Sequence, residues 1–287
     1  MDIAISVEGL VKNYGTNNVI NDLSFYVNKG EIFALLGANG AGKTTTLECI
    51  EGLRKYDAGR ITINGSIGVQ LQSTSLPNNI TVIEAIRLFS KWNKTKVDDA
   101  TINKFGLDNI LKKQYETLSS GQKRRLHLVL ALINNPDIIF LDEPTAGLDV
   151  EGRMALHTQI RKLKEDGKTI VMASHDMAEV EDLCDRVAII KKGKIAFIGT
   201  TKELTSSFES ESKILIKTIN PIENETFTTF KSIGISQGYL TLSTYKIADA
   251  LLELLNYIKV TSNTVIDIKV ERASLEERFI KIAKEAK

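Results

Sequence analysis

The chain has 287 residues, 43% of them hydrophobic and 25% charged, with a formal net charge of +1. That length admits one large domain or a large and a small one around a packed core. The near-neutral balance gives no field that would steer the chain onto nucleic acid, and no apolar run approaches the ~18 residues of a membrane helix.

The opening MDIAISVEGL lacks the charged-then-apolar order of a secretory leader, so none is expected. IFALL (32–36) is a short apolar run ending at Gly37 and reads as a buried strand. A helical pattern follows over 43–53. Residues 61–63 and 67–71 read as two strands joined almost directly at Asn64-Gly65, a tight-turn pair. Helices are expected over 82–92, 98–104 and 121–134, a buried strand over 138–141, a helix over 151–165 and a strand over 169–173. Strands alternating with helices imply a mostly parallel α/β sheet. The two cysteines, Cys49 and Cys184, have no metal-type spacing and read as core thiols of a reducing compartment.

Near 205–212 the composition turns to Ser, Thr and Glu, as in a linker. Beyond it the pattern runs strand, helix, two short strands, helix, strand, helix. The last helix opens on Ser274 with Glu277 three residues on, a capping box, and Leu275, Phe279, Ile282 and Ala283 share one face. The expected division is a domain at 1–208, with a helical subdomain at about 78–134, and a small α+β domain at 209–287.

Two stretches carry chemistry. Gly37 to Thr44 reads G-x-x-x-x-G-K-[ST] between a strand and a helix, the context of a phosphate cradle rather than of a plain glycine turn. Glycines let backbone N–H groups curl around an anion, and the helix behind them points its positive end at it. Lys43 then serves the β- and γ-phosphates, and the Thr44 hydroxyl can ligate Mg²⁺. IIFLDEP (138–144) is an apolar strand ending in two acids, and buried carboxylates need a cation or hydrogen bonds. Asp142 fits a Mg²⁺ ligand and Glu143 a general base for an attacking water, against the alternative of a helix-capping acid pair. His175 ends the run IVMASH. Alone it reads as a core or capping histidine, and in this set as a γ-phosphate contact.

Taken together, GANGAGKTT, LSSGQ, FLDEP, AGLD and SH resemble the ATP-binding subunit, or nucleotide-binding domain, of ABC transporters, in order and spacing through about residue 205. The resemblance implies a P-loop NTPase cassette of α/β class, with a mixed, mainly parallel sheet core, an antiparallel β subdomain and an α-helical subdomain. It implies that Gly37, Asn39, Gly40, Ala41, Gly42, Lys43, Thr44 and Thr45 bind ATP with Mg²⁺. It also implies that two ATPase subunits, copies of this chain or this chain with a relative, pack head to tail. Ser119, Ser120, Gly121 and Gln122 would then meet the γ-phosphate held by the opposite subunit, and Asp149 would line the interface between them. The family's usual glycine is replaced by Ser120. Tyr14 falls where the family places an aromatic against adenine, the alternative being a half-buried strand tyrosine. Gln72 matches the glutamine that reaches Mg²⁺ or the attacking water and senses the permease, with Gln70 a rival in the same stretch.

The direct Asn64-Gly65 link would shorten the antiparallel edge, segment 78–113 would face a membrane partner, and Lys123 to Arg125 read as solvated helix charges. RASLEERFIKIAKE (272–285) resembles the closing helix of ABC-2 type drug, antibiotic or peptide exporter ATPases. The implied function is ATP hydrolysis that powers export through a separate transmembrane permease, with no nucleic-acid partner. The subunit would sit at the cytoplasmic face of the membrane and touch the membrane only through that permease. An importer subunit and a soluble ATPase acting on ribosomes or DNA are the alternatives.

Overall fold

A computed structural model describes residues 2–70, 76–95, 99–206, 212–222, 227–236 and 238–271. The chain divides into two compact units, Met1–Thr201 and Lys202–Lys287.

The first unit opens with two long strands, β1 (Ile3–Tyr14) and β2 (Asn17–Asn28). Leu23, Phe25 and Val27 alternate inward along β2, and Ile20 keeps the same side because the chain bulges at Asp22, whose φ is 61°. Next come β3 (Ile32–Leu36), α1 (Lys43–Ile50), β4 (Ala58–Ile63) and β5 (Ile67–Gln70). The order of the antiparallel sheet is β2-β1-β4.

The helical segment holds α2 (Val82–Trp92), α3 (Asp99–Lys104) and α4 (Ser120–Leu132). A capping box between Thr81 and Glu84 starts α2. The chain then forms β6 (Ile138–Asp142), α5 (Val150–Glu165), β7 (Thr169–Ser174), α6 (Met177–Leu183), β8 (Arg186–Lys191) and β9 (Lys194–Thr200). These build a six-stranded sheet of order β5-β6-β7-β3-β8-β9, parallel throughout except for the β8–β9 hairpin at Lys192-Gly193. Every residue of β3, β6 and β7 is buried, as central parallel strands covered on both faces require. One core unites both sheets with Leu47, Cys49 and Ile50 of α1, and the Phe25 and Phe33 rings stack across it at 5.5 Å. On the parallel sheet, α5 and α6 pack against β7.

The expected hairpin at Asn64-Gly65 does not form. β4 pairs with β1, and β5 pairs in parallel with β6, so this dipeptide is where the chain leaves one sheet for the other. The crossing is pinned at Ser66, whose N–H and hydroxyl both donate to Asp137 Oδ2 at 2.8 Å. The antiparallel edge is not a shortened hairpin but a sheet supplied by β1 and β2. Beyond the crossing, a Cβ on Gly68 would lie 2.2 Å from the Ala131 carbonyl oxygen, so only glycine lets α4 lie this close to β5.

The helix α7 (Thr201–Ser206) spans the division between the units. The second unit holds β10 (Ser212–Thr218), β11 (Lys231–Ser236), β12 (Tyr239–Thr244), α8 (Ile247–Val260) and β13 (Val265–Glu271). Its antiparallel sheet has the order β11-β12-β10-β13, with a core of Ile214, Ile216, Phe230, Leu242, Ala250, Leu254 and Ile258. Among the described residues, bends stand between β10 and β11 where a helix was expected. Glu253 of α8 accepts there from the N–H and hydroxyl groups of Thr229 and Thr228, and these donors hold its carboxyl at about 2. The helix expected from Ser274 lies outside the described residues.

Candidate functional site

Parallel neighbours end at the same edge of a sheet, and β3, β7 and β6 are adjacent. Their C-terminal ends lead into Gly37, into His175, and into Asp142 with Glu143. Ligands of open α/β sheets bind at such an edge.

The loop from Gly37 to Gly42 folds over the start of α1. A Cβ on Gly37 would lie 2.7 Å from the Ile190 oxygen, and one on Gly42 would lie 2.9 Å from the Val19 oxygen. At these two positions glycine is required by the protein's own backbone, as well as by any anion. Gly42 is the N-cap of α1 with φ 106°, and no side chain caps the helix, so its first-turn N–H groups have no side-chain acceptor at the N-cap. Lys43 is buried, and its ammonium donates to the carbonyls of Gly37 at 2.8 Å and Ala38 at 3.4 Å. Burial lowers its pKa, against the pull of Glu143 and Asp142. Asn39 and Gly40 are exposed on the loop, while Ala41, Thr44 and Thr45 are half-buried.

Asp142 is buried and its carboxyl is pushed up, first by burial and also by Glu143, against a hydrogen bond from the Thr44 hydroxyl. Its Oδ1 is buried without a hydrogen-bond partner. Among the described residues no cluster of three His, Cys, Asp or Glu side chains could cage a metal. An orphaned carboxylate oxygen beside a threonine hydroxyl fits Mg²⁺, which keeps several waters and takes the rest of its ligands from phosphate. Glu143 is buried beside it with φ 47°, a left-handed conformation of about 1–2 kcal/mol for a non-glycine residue. The Glu143 N–H donates to Ala173 O at 3.0 Å, and its Oε2 lies 2.7 Å from His175 Nδ1. A carboxylate only accepts, so the histidine donates.

A second group lies around the start of α4. Ser119 is the N-cap, its hydroxyl accepts the Gln122 N–H at 3.3 Å, and the Gln122 side chain accepts the Ser119 N–H at 3.1 Å. Ser119, Ser120 and Gly121 line a cleft of about 320 Å³ together with Asp149, the N-cap of α5, which accepts from Gly152 N–H at 2.8 Å. Among the described residues no hydrogen bond or ion pair joins this group to the Gly37–Lys43 loop.

Tyr14 ends β1 with its ring exposed, and Lys12 and Arg54 lie 5.5 and 5.4 Å from its centroid. A base stacking there would share the ring with two cations. Gln72 lies outside the described residues. Its rival Gln70 is 2% exposed at the end of β5, with both amide atoms unpaired.

Some charged residues carry more than their sequence positions signalled. Lys123 to Arg125 are half-buried rather than solvated: Lys123 lies 4.8 Å from the Tyr115 ring centroid, and Arg125 donates to Phe105 O at 3.5 Å. Burial lowers the Arg124 pKa, with Asp142 and Glu143 close enough to oppose it. Glu51, just past α1, is pushed up to about 7 by burial and then by Asp142 and Glu48. No local pattern marks Arg124, Arg125 and Glu51, because Asp142 and Phe105 reach them from far along the chain.

A buried strand, a glycine loop and an uncapped helix start beside two acids define a P-loop nucleotide-binding α/β protein. A family model described as "ABC transporter" matches residues 20–146. An uncharacterized ABC transporter ATP-binding protein of Methanocaldococcus jannaschii is 38% identical over 206 residues, 70% of this chain and 79% of that protein. The linearmycin resistance ATP-binding protein of Bacillus subtilis is 35% identical over 241 residues, 78% of this chain and 77% of its own. A Nod factor export ATP-binding protein of Burkholderia orbicola is 38% identical over 221 residues, 71% of this chain and 73% of its own. A solved ATP-binding subunit of an ABC transporter superposes with TM-score 0.64 at 28% identity, over 71% of this chain and 93% of that one. The chain belongs to the ATP-binding proteins of ABC transporters, and its fold is their cassette.

Proposed function

We propose that this chain hydrolyses ATP and powers export of a drug, antibiotic or peptide through a separate membrane permease, as an ABC-2 type exporter subunit. The observation that carries the hydrolytic reading is the meeting of Lys43, Asp142 and the Glu143–His175 pair at the ends of three adjacent strands. Export is supported by the names of two relatives, a linearmycin resistance ATP-binding protein and a Nod factor export ATP-binding protein. An importer subunit is the second reading. Among the described residues no helix is long and apolar enough to cross a membrane. In this reading the path for the cargo belongs to the permease. The subunit works at the cytoplasmic face of the cell membrane.

The α1 N–H groups and Lys43 hold the β- and γ-phosphates. The ammonium has three protons, so it serves Gly37 O and a phosphate oxygen together. Thr44 and Asp142 would hold Mg²⁺, with Gln72, and the ion supplies neutralisation of phosphate charge. Glu143 takes the proton of the attacking water, and His175 holds that carboxylate and faces the γ-phosphate. Tyr14 receives the adenine. Ser119, Ser120, Gly121 and Gln122 close on the ATP of a second cassette, and Asp149 lies at the same interface. The Ser119 cap uses an oxygen lone pair, which leaves the hydroxyl proton to donate to a phosphate.

The deciding experiment is Glu143→Gln, assayed by phosphate release and light scattering. Turnover is expected to fall about 10²–10⁴-fold, the range of a lost general base, with ATP retained in a stable dimer. Wild-type turnover would reject the base assignment.

A further inference from the structure

Behind the Glu143–His175 pair lies a buried polar chain that the reaction as described does not use. Ser174 ends β7 immediately before His175 and is 0% exposed. Its hydroxyl donates to Glu179 Oε2 at 2.6 Å, and its oxygen accepts the Asp176 N–H at 3.0 Å. Both hydrogen-bonding functions of the hydroxyl are thus committed, which fixes the backbone on either side of His175. Glu179, on α6, is 1% exposed. Its other oxygen, Oε1, is buried without a hydrogen-bond partner, as is His157 Nε2, so each faces a polar atom left open. The one cationic side chain within ion-pair distance among the described residues is His157 of α5, whose Nε2 is 3.6 Å from Glu179 Oε1. His157 is itself buried, and its Nδ1 lies 2.9 Å from Asp182 Oδ2.

We propose that His157, Glu179 and Ser174 form a positioning unit: protonated His157 pairs with Glu179, Glu179 holds the Ser174 hydroxyl, and Ser174 sets the backbone from which His175 reaches Glu143. The unit rests on the assignment of Glu143 as base and His175 as its partner. It also ties α5, whose N-cap is Asp149, to the strand end that carries His175.

The charged and titratable groups around His157 are few. From α6 come Glu179 and Asp182. From its own helix come Arg153, paired with Asp176 at 2.8 Å, and Arg161, paired with Asp182 at 2.5 Å. Cys184 lies near Glu179, and burial pushes its thiol well above the usual range, so it stays neutral. Glu179 foremost, then Asp182, raise the His157 pKa against the opposing effect of burial. A raised histidine pKa means the charged unit is complete at pH values below the ordinary histidine range. It is lost as pH rises through the elevated folded value. Hydrolysis should therefore carry an alkaline inflection that belongs to His157.

The test is steady-state ATP hydrolysis by the full chain with Mg²⁺, from about pH 6 to 9, across the histidine range. The variants are His157→Gln, the pair His157→Gln with Glu179→Gln, and His175→Ala. With His157→Gln, kcat should fall about tenfold, KM for ATP should stay within about twofold, and the alkaline inflection should vanish. Adding Glu179→Gln should restore most of kcat while leaving the profile flat, because a neutral pair needs no counter-charge. A wild-type kcat and inflection in His157→Gln would overturn the proposal, as would a double variant no faster than the single. Should His157→Gln fail to fold, the double variant decides: a flat profile supports the unit, and a retained inflection overturns it. His175→Ala separates the two levels. Full activity there would overturn the assignment of His175 itself, whereas its loss beside an unchanged His157→Gln would overturn this proposal alone.

Discussion

The helices α1 and α4 both carry a glycine at their start, and they treat their open N–H groups in opposite ways. α1 starts on Gly42, with left-handed backbone and no side chain to accept from its first turn. α4 starts on Ser119, with extended backbone and a reciprocal cap from Gln122. The first loop is packed into the protein at Gly37 and Gly42, and its lysine is buried. The second is exposed, and a Cβ on Gly121 would meet only Leu148 Cδ2 at 3.9 Å, an ordinary contact. One helix start withholds its own caps and leaves donors to a ligand. The other is closed by its own reciprocal cap, and no described residue crowds its glycine.

The largest effect should come from removing the charge at the first loop. Lys43→Ala should weaken ATP binding about 100-fold, near 3 kcal/mol for a charge-assisted contact, as read by calorimetry. The circular dichroism of the fold should not change. Wild-type affinity in that variant would erase the distinction between the two loops.

The second loop should respond to the opposite assay. Gly121→Ala adds a methyl group with room inside the chain and removes a glycine from a helix. Thermal stability should stay level or rise by about 0.5–1 kcal/mol. ATP-driven pairing of cassettes, followed by sedimentation, should weaken about tenfold, or ~1.4 kcal/mol. Unchanged pairing would show that the small residue has no partner to accommodate. The smallest effect belongs to Ser119→Ala. It should cost about 1 kcal/mol of stability through the lost cap, read as a lower melting temperature, and leave ATP binding to the isolated chain intact.

The strands and motifs of the parallel sheet were legible because each is announced locally. IFALL before Gly37 and IIFL before Asp142 are continuous apolar runs that only a doubly covered strand can bury. The Asn64-Gly65 dipeptide misled for a related reason. A turn pair between two strands gives the local bend and says nothing of which sheet each strand joins, and here β1 and β6, far away in sequence, make that choice. A hairpin does form on that principle at Lys192-Gly193, with positive φ at both residues, 48° and 74°. The histidines show the same limit. His175 was marked by its place at a strand end, whereas His157 sits midway along an amphipathic helix and acquires meaning only from Glu179 and Asp182 on another one.

The left-handed backbone of Glu143 has a consequence for anyone who screens this position. A saturation library there would be sorted twice, first by shape and only afterwards by reactivity. Glycine and asparagine would relax the bend and give well-folded but slow proteins. Valine and isoleucine, which tolerate positive φ worst, would drop out as poor expressers. Their inactivity would then report on the turn at the end of β6 rather than on proton transfer. Glutamine keeps the same branching as glutamate, so its phenotype can be assigned to the missing carboxylate rather than to the turn.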